Sequence, residues 1–160
     1  MTPINRFFAL AFAALLSTGA VADEPAAAAR TPSTPGASVG FGNLSDGDIV
    51  PPVFTVKFTI SGMGIAPAGS RIDSTGHHHL LIDVDELPDM NQPLPMNEHV
   101  RHFGKGQTEA ELELAPGKHT LQLLLADYAH VPHDPPVMSK QITITVSPDA
   151  PPQATGEGKQ

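Results

Sequence analysis

Phe54-Thr55-Val56-Lys57-Phe58-Thr59-Ile60 alternates apolar and polar residues at every step. Successive side chains of an extended chain point to opposite faces. A period of two therefore predicts a strand over 54–61, with Phe54, Val56, Phe58 and Ile60 in a core and Thr55, Lys57 and Thr59 in water. The same alternation recurs along the chain. His78, Leu80, Ile82 and Val84 mark a strand over 77–85, and Ala110, Leu112 and Leu114, set against Glu109, Glu111 and Glu113, mark one over 108–114. His119, Leu121, Leu123 and Leu125 mark 119–127, and Ile142, Ile144 and Val146, set against Thr143 and Thr145, mark 138–146. A weaker opening strand covers 38–44. Turn residues divide these runs: Ser45-Asp46-Gly47-Asp48, Ser61-Gly62, Ala115-Pro116-Gly117 and Asp134-Pro135-Pro136. No window carries a helical stripe. The expected fold is all-β, an immunoglobulin-like Greek-key two-sheet sandwich of six or seven strands, with residues 86–107 holding a short strand or an irregular crossing.

Outside this domain, 38–146, the composition changes. Arg6 supplies a short positive region, Phe7 to Leu16 is an apolar run too short to span a bilayer, and Ala20-Val21-Ala22 has the small residues of a cleavage site. Residues 1–22 are therefore expected to be a signal peptide, which places the chain in the bacterial periplasm or outside the cell. Residues 23–37 (Ala, Pro, Thr, Ser) and 147–160 (Pro, Gly, Gln and charge) have little to bury. They are expected to be a disordered leader and a disordered tail.

The chain of 160 residues carries a net charge of −8, and loss of Arg6 would make it one unit more negative. An acidic surface argues against nucleic acid or anionic lipid as partner and, with the signal removed, no membrane association is expected. Cysteine is absent. That excludes disulfide support, a lipid-tethering cysteine, cysteine-ligated zinc, iron–sulfur clusters and His-Cys copper centres.

All eight histidines follow residue 76, and seven fall in three groups: His77-His78-His79, His99-x-x-His102 and His130-x-x-His133. On a strand His77 and His79 share a face, close enough for one ion, while His78 points towards the core rim. There a backbone hydrogen bond would satisfy it. In an immunoglobulin-like Greek key the connections carrying the three groups gather at one pole, and His119 falls at the other as a solvated residue. The expected metal ligands are His77, His79, His102, His130 and His133, with His78, His99, Met63 and Met138 as further candidates. Imidazole suits copper, zinc, nickel or iron, and added thioether favours copper, so a copper ion is the expected cofactor and zinc the alternative. Asp83, Asp85 or Asp127 could accept an imidazole N–H from behind.

Other chemistry is thin. His102-Phe103-Gly104-Lys105-Gly106-Gln107-Thr108 lacks the spacing and following helix of a phosphate loop, and is expected to be a tight glycine turn. Ser74 and Ser139 have no nucleophile context, and no carboxylate pair stands out from solvated strand faces, so no catalytic residue is assigned. Asn43-Leu44-Ser45 matches a glycosylation sequon that a bacterial protein would not use.

Three motifs carry a resemblance: Gly76-His77-His78-His79-Leu80-Leu81-Ile82-Asp83, His102-Phe103-Gly104-Lys105-Gly106-Gln107-Thr108-Glu109, and Pro116-Gly117-Lys118-His119-Thr120-Leu121-Gln122-Leu123-Leu124-Leu125 followed by His130 and His133. Together they resemble an exported bacterial family, domain of unknown function 4399. The resemblance implies export and one small domain, and implies no activity.

The leading expectation is a periplasmic protein that handles or buffers a metal ion, copper first, with no catalysis. A noncatalytic module binding a protein or glycan is the alternative. Its histidines would be structural, and outward-facing Leu81 and Leu124 would form a small apolar patch for a periplasmic partner or a second copy. A small metalloenzyme with an open coordination position is the third.

Overall fold

The computed structural model describes residues 30–153. The signal-peptide reading and residues 23–29 lie outside them, as do residues 154–160 of the tail. Nine strands occur among the described residues: β1 (Ser38–Phe41), β2 (Ile49–Val50), β3 (Val53–Ser61), β4 (Gly64–Ile65), β5 (Thr75–Ile82), β6 (Val100–His102), β7 (Glu109–Glu113), β8 (Gly117–Ala126) and β9 (Ile142–Val146). Six of them are the expected strands. The remaining three, β2, β4 and β6, are only two or three residues long.

One sheet has the order β1-β3-β7, and the other β2-β9-β8-β5-β4 with β6 also paired to β5. This is the expected sandwich, with the immunoglobulin-like division of strands between its sheets. The described residues contain no helix, and so none long and apolar enough to cross a membrane. The core between the sheets takes Phe54, Val56 and Phe58 from β3 and Leu112 from β7. From the other sheet it takes Leu80, Ile82, Leu121, Leu123, Leu125, Ile144 and Val146. The alternation in β3 appears directly as burial: Phe54, Val56 and Phe58 are buried, while Lys57 and Thr59 are exposed.

Strand β5 behaves differently, because it is buried on both faces from Gly76 to Ile82. Leu80 and Ile82 face the sandwich core. Leu81, on the outer face, joins Leu94, Val100, Leu124 and Ala126 in a second small cluster, against which Val84, Met90 and Met138 pack. The irregular segment between β5 and β6 thus covers the outer face. Leu81 and Leu124 are 2% and 0% exposed, so the apolar patch expected of them is absent.

Three strand ends fall three or four residues short of expectation: β5 stops at Ile82, where Asp83 turns to φ +53°, and the other two have side-chain causes. β1 stops at Phe41, and beyond it the Asn43 side chain takes over the pairing: its Nδ2 donates to the Thr55 carbonyl at 2.8 Å, and its Oδ1 accepts the Lys57 N–H at 2.8 Å. β9 begins at Ile142, because the Ser139 hydroxyl accepts the Leu123 N–H at 2.9 Å and so interrupts the ladder.

Where the flanks are described, their residues make hydrogen bonds to the domain. Thr31 and Ser33 pair with Asp134 through backbone hydrogen bonds, and Arg30 donates to the Pro132 and His133 carbonyls. On the tail, the Gln153 Oε1 accepts the Thr55 N–H at 2.9 Å. Backbone and polar side-chain hydrogen bonds hold both segments, and composition does not register them.

Candidate metal centre

The His77-His78-His79 run lies in the middle sheet position of β5, between β8 and β6. Antiparallel register sets His79 opposite His102 of β6 and His77 opposite Ala126 of β8. Directly opposed residues share a face, so His102 joins His77 and His79 on the outer side of the sheet. The turn after β8 brings in His130. The distances between ring centroids are 4.8 Å for His77–His79, 4.9 Å for His77–His102, 5.0 Å for His77–His130, 5.1 Å for His79–His102, 6.0 Å for His79–His130 and 4.7 Å for His102–His130. His77, His79 and His102 each offer a ring nitrogen within 4.8 Å of the others.

These separations have a chemical meaning. With metal–nitrogen bonds of about 2.05 Å, and ring centres just over 1 Å behind the nitrogens, four imidazoles arranged tetrahedrally would place their centroids about 5.2 Å apart. The six observed distances bracket that value. The donors are also unengaged: both ring nitrogens of His77 and of His79, and Nε2 of His102, are buried without a hydrogen-bond partner. Leaving such atoms unpaired costs roughly 1–3 kcal/mol each. A cation shared among them would satisfy one nitrogen of each ring, so the residues fit an imidazole-bound metal ion.

Burial and neighbouring charges favour the neutral form of His77, His79 and His102, the form that binds metal. Burial, followed by the neighbouring His102 and His130, lowers the His77 pKa to about 4, against a smaller opposing pull from Asp127. Burial and then His77, His102 and His130 lower His79 to about 3. His102 is lowered by burial and by His130.

Two backbone features make the approach possible. His130 has φ +67°, a left-handed conformation that costs a non-glycine residue about 1 kcal/mol and turns its ring back over the sheet. Gly104 lies against the His102 ring, where an added Cβ would come within 2.2 Å of Cε1 and 2.3 Å of Nε2. The glycine turn after His102 is therefore the space that ring occupies. Gly104 was not legible as a site residue, although a glycine two positions beyond a histidine was the available signal.

Other expected ligands lie elsewhere. His133 is buried with Nδ1 3.3 Å from the Thr31 carbonyl, and its Nε2 lies 2.9 Å from where a Gly76 Cβ would be. A Cβ at Gly76 points away from the His77 face, so His133 sits on the inner side of β5. His99 is opposite Ile82, three strand positions or about 10 Å from the His102 end of β6, with Nδ1 3.0 Å from the Ile82 carbonyl. Met63 packs on the sandwich core and Met138 on the outer apolar cluster, paired with Leu124 and thus two strand spacings, roughly 10 Å, from β5. His78 is buried against Phe58, ring centroids 5.0 Å apart, with neither nitrogen hydrogen-bonded; the backbone bond expected for it is not made. Burial lowers its pKa to about 4.

His119 is engaged rather than simply solvated. It sits 2.7 Å from Asp83 Oδ2 and 2.8 Å from the Ala115 carbonyl. Asp83 thus serves His119 and not the cluster. Asp85 is exposed. Asp127 is buried beside the His130 turn, and its charge favours protonation of His77 and His133.

The class defined by this geometry is a small β-sandwich with an imidazole cluster on the outer face of one sheet. The chain belongs to the family described as Domain of unknown function (DUF4399), whose model matches residues 56–147. That span includes all four clustered histidines. No curated protein and no solved structure matches the chain.

Proposed function

We propose that this protein binds one transition-metal ion through His77, His79, His102 and His130, and that it handles or buffers that ion in the periplasm without catalysing a reaction. The observation that carries this is the convergence of four imidazoles at 4.7–6.0 Å, three of which (His77, His79 and His102) have buried nitrogens that no protein group satisfies. A donor set made only of imidazole suits divalent ions. Copper(II) comes first by the general order of divalent affinities and zinc second. The methionines pack in apolar clusters, so the thioether argument for copper(I) falls away. The periplasmic location rests on the signal-like residues 1–22. Titration of the tag-free chain with Cu(II) and Zn(II), followed by calorimetry and by competition with a chelator, is the test. One-to-one binding well above weak surface association is expected, and its absence for both ions would remove this function.

A further inference from the structure

Three segments distant in sequence meet behind His130. Asp127 Oδ1 accepts the N–H groups of Ala129 at 2.8 Å and Val131 at 3.0 Å, so it draws the turn closed around His130. The His130 N–H donates to the Asp127 carbonyl at 3.0 Å, and the Asp127 N–H to the Val131 carbonyl at 2.9 Å. The second carboxylate oxygen, Oδ2, accepts the Thr31 hydroxyl at 2.5 Å. Thr31 is fixed in turn: its carbonyl accepts the Asp134 N–H at 3.0 Å, and Arg30 beside it donates to Pro132 and His133 and lies 3.5 Å from the Asp134 carboxylate. Opposite, the His130 carbonyl accepts the Leu94 N–H at 2.9 Å. His77, His79 and His102 are carried on paired strands of one sheet. His130 alone is carried on a turn, in a left-handed conformation, and the groups that shape this turn are Asp127 and, through it, Thr31.

We infer that Asp127 and Thr31 are positioning residues for the fourth imidazole, so that the docked segment 30–34 decides whether the site offers three ring nitrogens or four. The inference rests on the metal-binding function proposed above and deepens it: Thr31 and Asp127 touch no ion and act only through His130. Segment 30–34 then works as a strap across the turn between β8 and β9. A chain whose strap is undocked would keep a three-imidazole site of lower affinity.

The test uses the full chain with Thr31→Val, Thr31→Ser and Asp127→Ala, each titrated with Cu(II) and each examined by electron paramagnetic resonance for the number of coordinated nitrogens. Removing an outer partner of a ligand costs about 10–100-fold in metal affinity. Thr31→Val is expected near the lower bound and Asp127→Ala near the upper, both with three nitrogens in place of four, and Thr31→Ser is expected to restore wild-type affinity and spectrum. His119→Asn, at the far end of the sheet, should leave the spectrum unchanged whatever it does to stability. Wild-type affinity and four nitrogens in Thr31→Val would overturn the inference while leaving the metal site standing. Failure of the wild-type chain to take up Cu(II) or Zn(II) would remove the metal site and the inference with it. Should Asp127→Ala fail to fold, the pair Thr31→Val and Thr31→Ser decides, since it differs from wild type by one hydroxyl or one methyl.

Discussion

The two ends of the β5–β8 pair hold histidines in opposite states. At one end His77 and His79 lie with His102 and His130, both nitrogens of the first two are unbonded, and no carboxylate is hydrogen-bonded to either ring. At the other, His119 has both nitrogens engaged, one by Asp83 and one by the Ala115 carbonyl. Protonation follows the surroundings. Burial and like-charged neighbours lower His77 and His79, whereas at His119 the desolvation is outweighed by the Asp83 hydrogen bond, the Ala115 carbonyl and the Asp83 charge, which together raise its pKa. A histidine with both ring nitrogens bonded to the protein is a strut. His77 and His79 have no such partners, and the difference lies in partners, not in residue type.

The largest expected effect is loss of binding in a His77→Ala, His79→Ala variant, and its retention would break this contrast. Removal of two ligands should exceed the roughly 10–100-fold cost of losing an outer partner, and calorimetry on the folded variant reads it directly. Retained wild-type affinity would place the ion elsewhere.

Acid stability comes next. The lowered pKa values of His77, His78 and His79 mean that the unfolded chain binds more protons than the folded one below the ordinary histidine value. Their contribution is intact above about pH 6.5 and is lost as pH falls towards 4. Each such histidine adds a slope of roughly 1.4 kcal/mol per pH unit within that window. Urea unfolding of the metal-free chain at pH 7 and pH 5 should show a large drop, and bound Zn(II) should reduce it. Equal midpoints at the two pH values would contradict the neutral, buried state of these rings.

Gly104→Val sharpens the comparison without replacing a histidine. A side chain there must displace the His102 ring, so metal affinity should fall by about 10-fold or more while the strands remain intact. Unchanged binding would mean that His102 is not a ligand.

His78→Leu tests the other face of the same strand. Replacing an unpartnered polar ring in an apolar core should raise stability by about 1–2 kcal/mol and leave metal affinity as it was, measured by thermal and chemical unfolding beside titration. Lost metal binding would show that His78 serves the site.

The smallest effect belongs to His119→Asn, because the ring and Asp83 are partly exposed. With a raised folded pKa, the His119–Asp83 pair stabilises fully below about pH 6.5 and weakens as pH rises through the folded value. The variant should lose no more than about 1 kcal/mol near pH 6, and less at pH 9. A loss that grows with pH would reverse the sign.

Much of this molecule was legible in its sequence. Period-two patterning located six strands, because alternation is a local property of an extended chain and burial of one face enforces it. The same rule put His77 and His79 together and His78 apart. It could not separate His130 from His133, or His102 from His99. Membership of the cluster is settled there by strand register, which matches His79 to His102 and leaves His99 at Ile82, and by the left-handed turn at His130. Composition also gives no sign of the hydrogen bonds made by residues 30–34 and by Gln153, because their partners lie far away in the chain.

The sequence by itself determined an all-β chain, free of cysteine, with imidazoles enough for an ion site and two of them on one strand face. Only the tertiary structure decided that four rings meet, that Met63, Met138 and His133 do not join them, that Gly104 leaves room for the His102 ring, and that Asp127 and Thr31 bond the turn carrying His130. The physical reason is range. Alternation and donor chemistry are written in neighbouring residues, whereas a coordination shell is a set of distances between residues far apart in the chain, set by register, by turns and by the space a missing side chain leaves open.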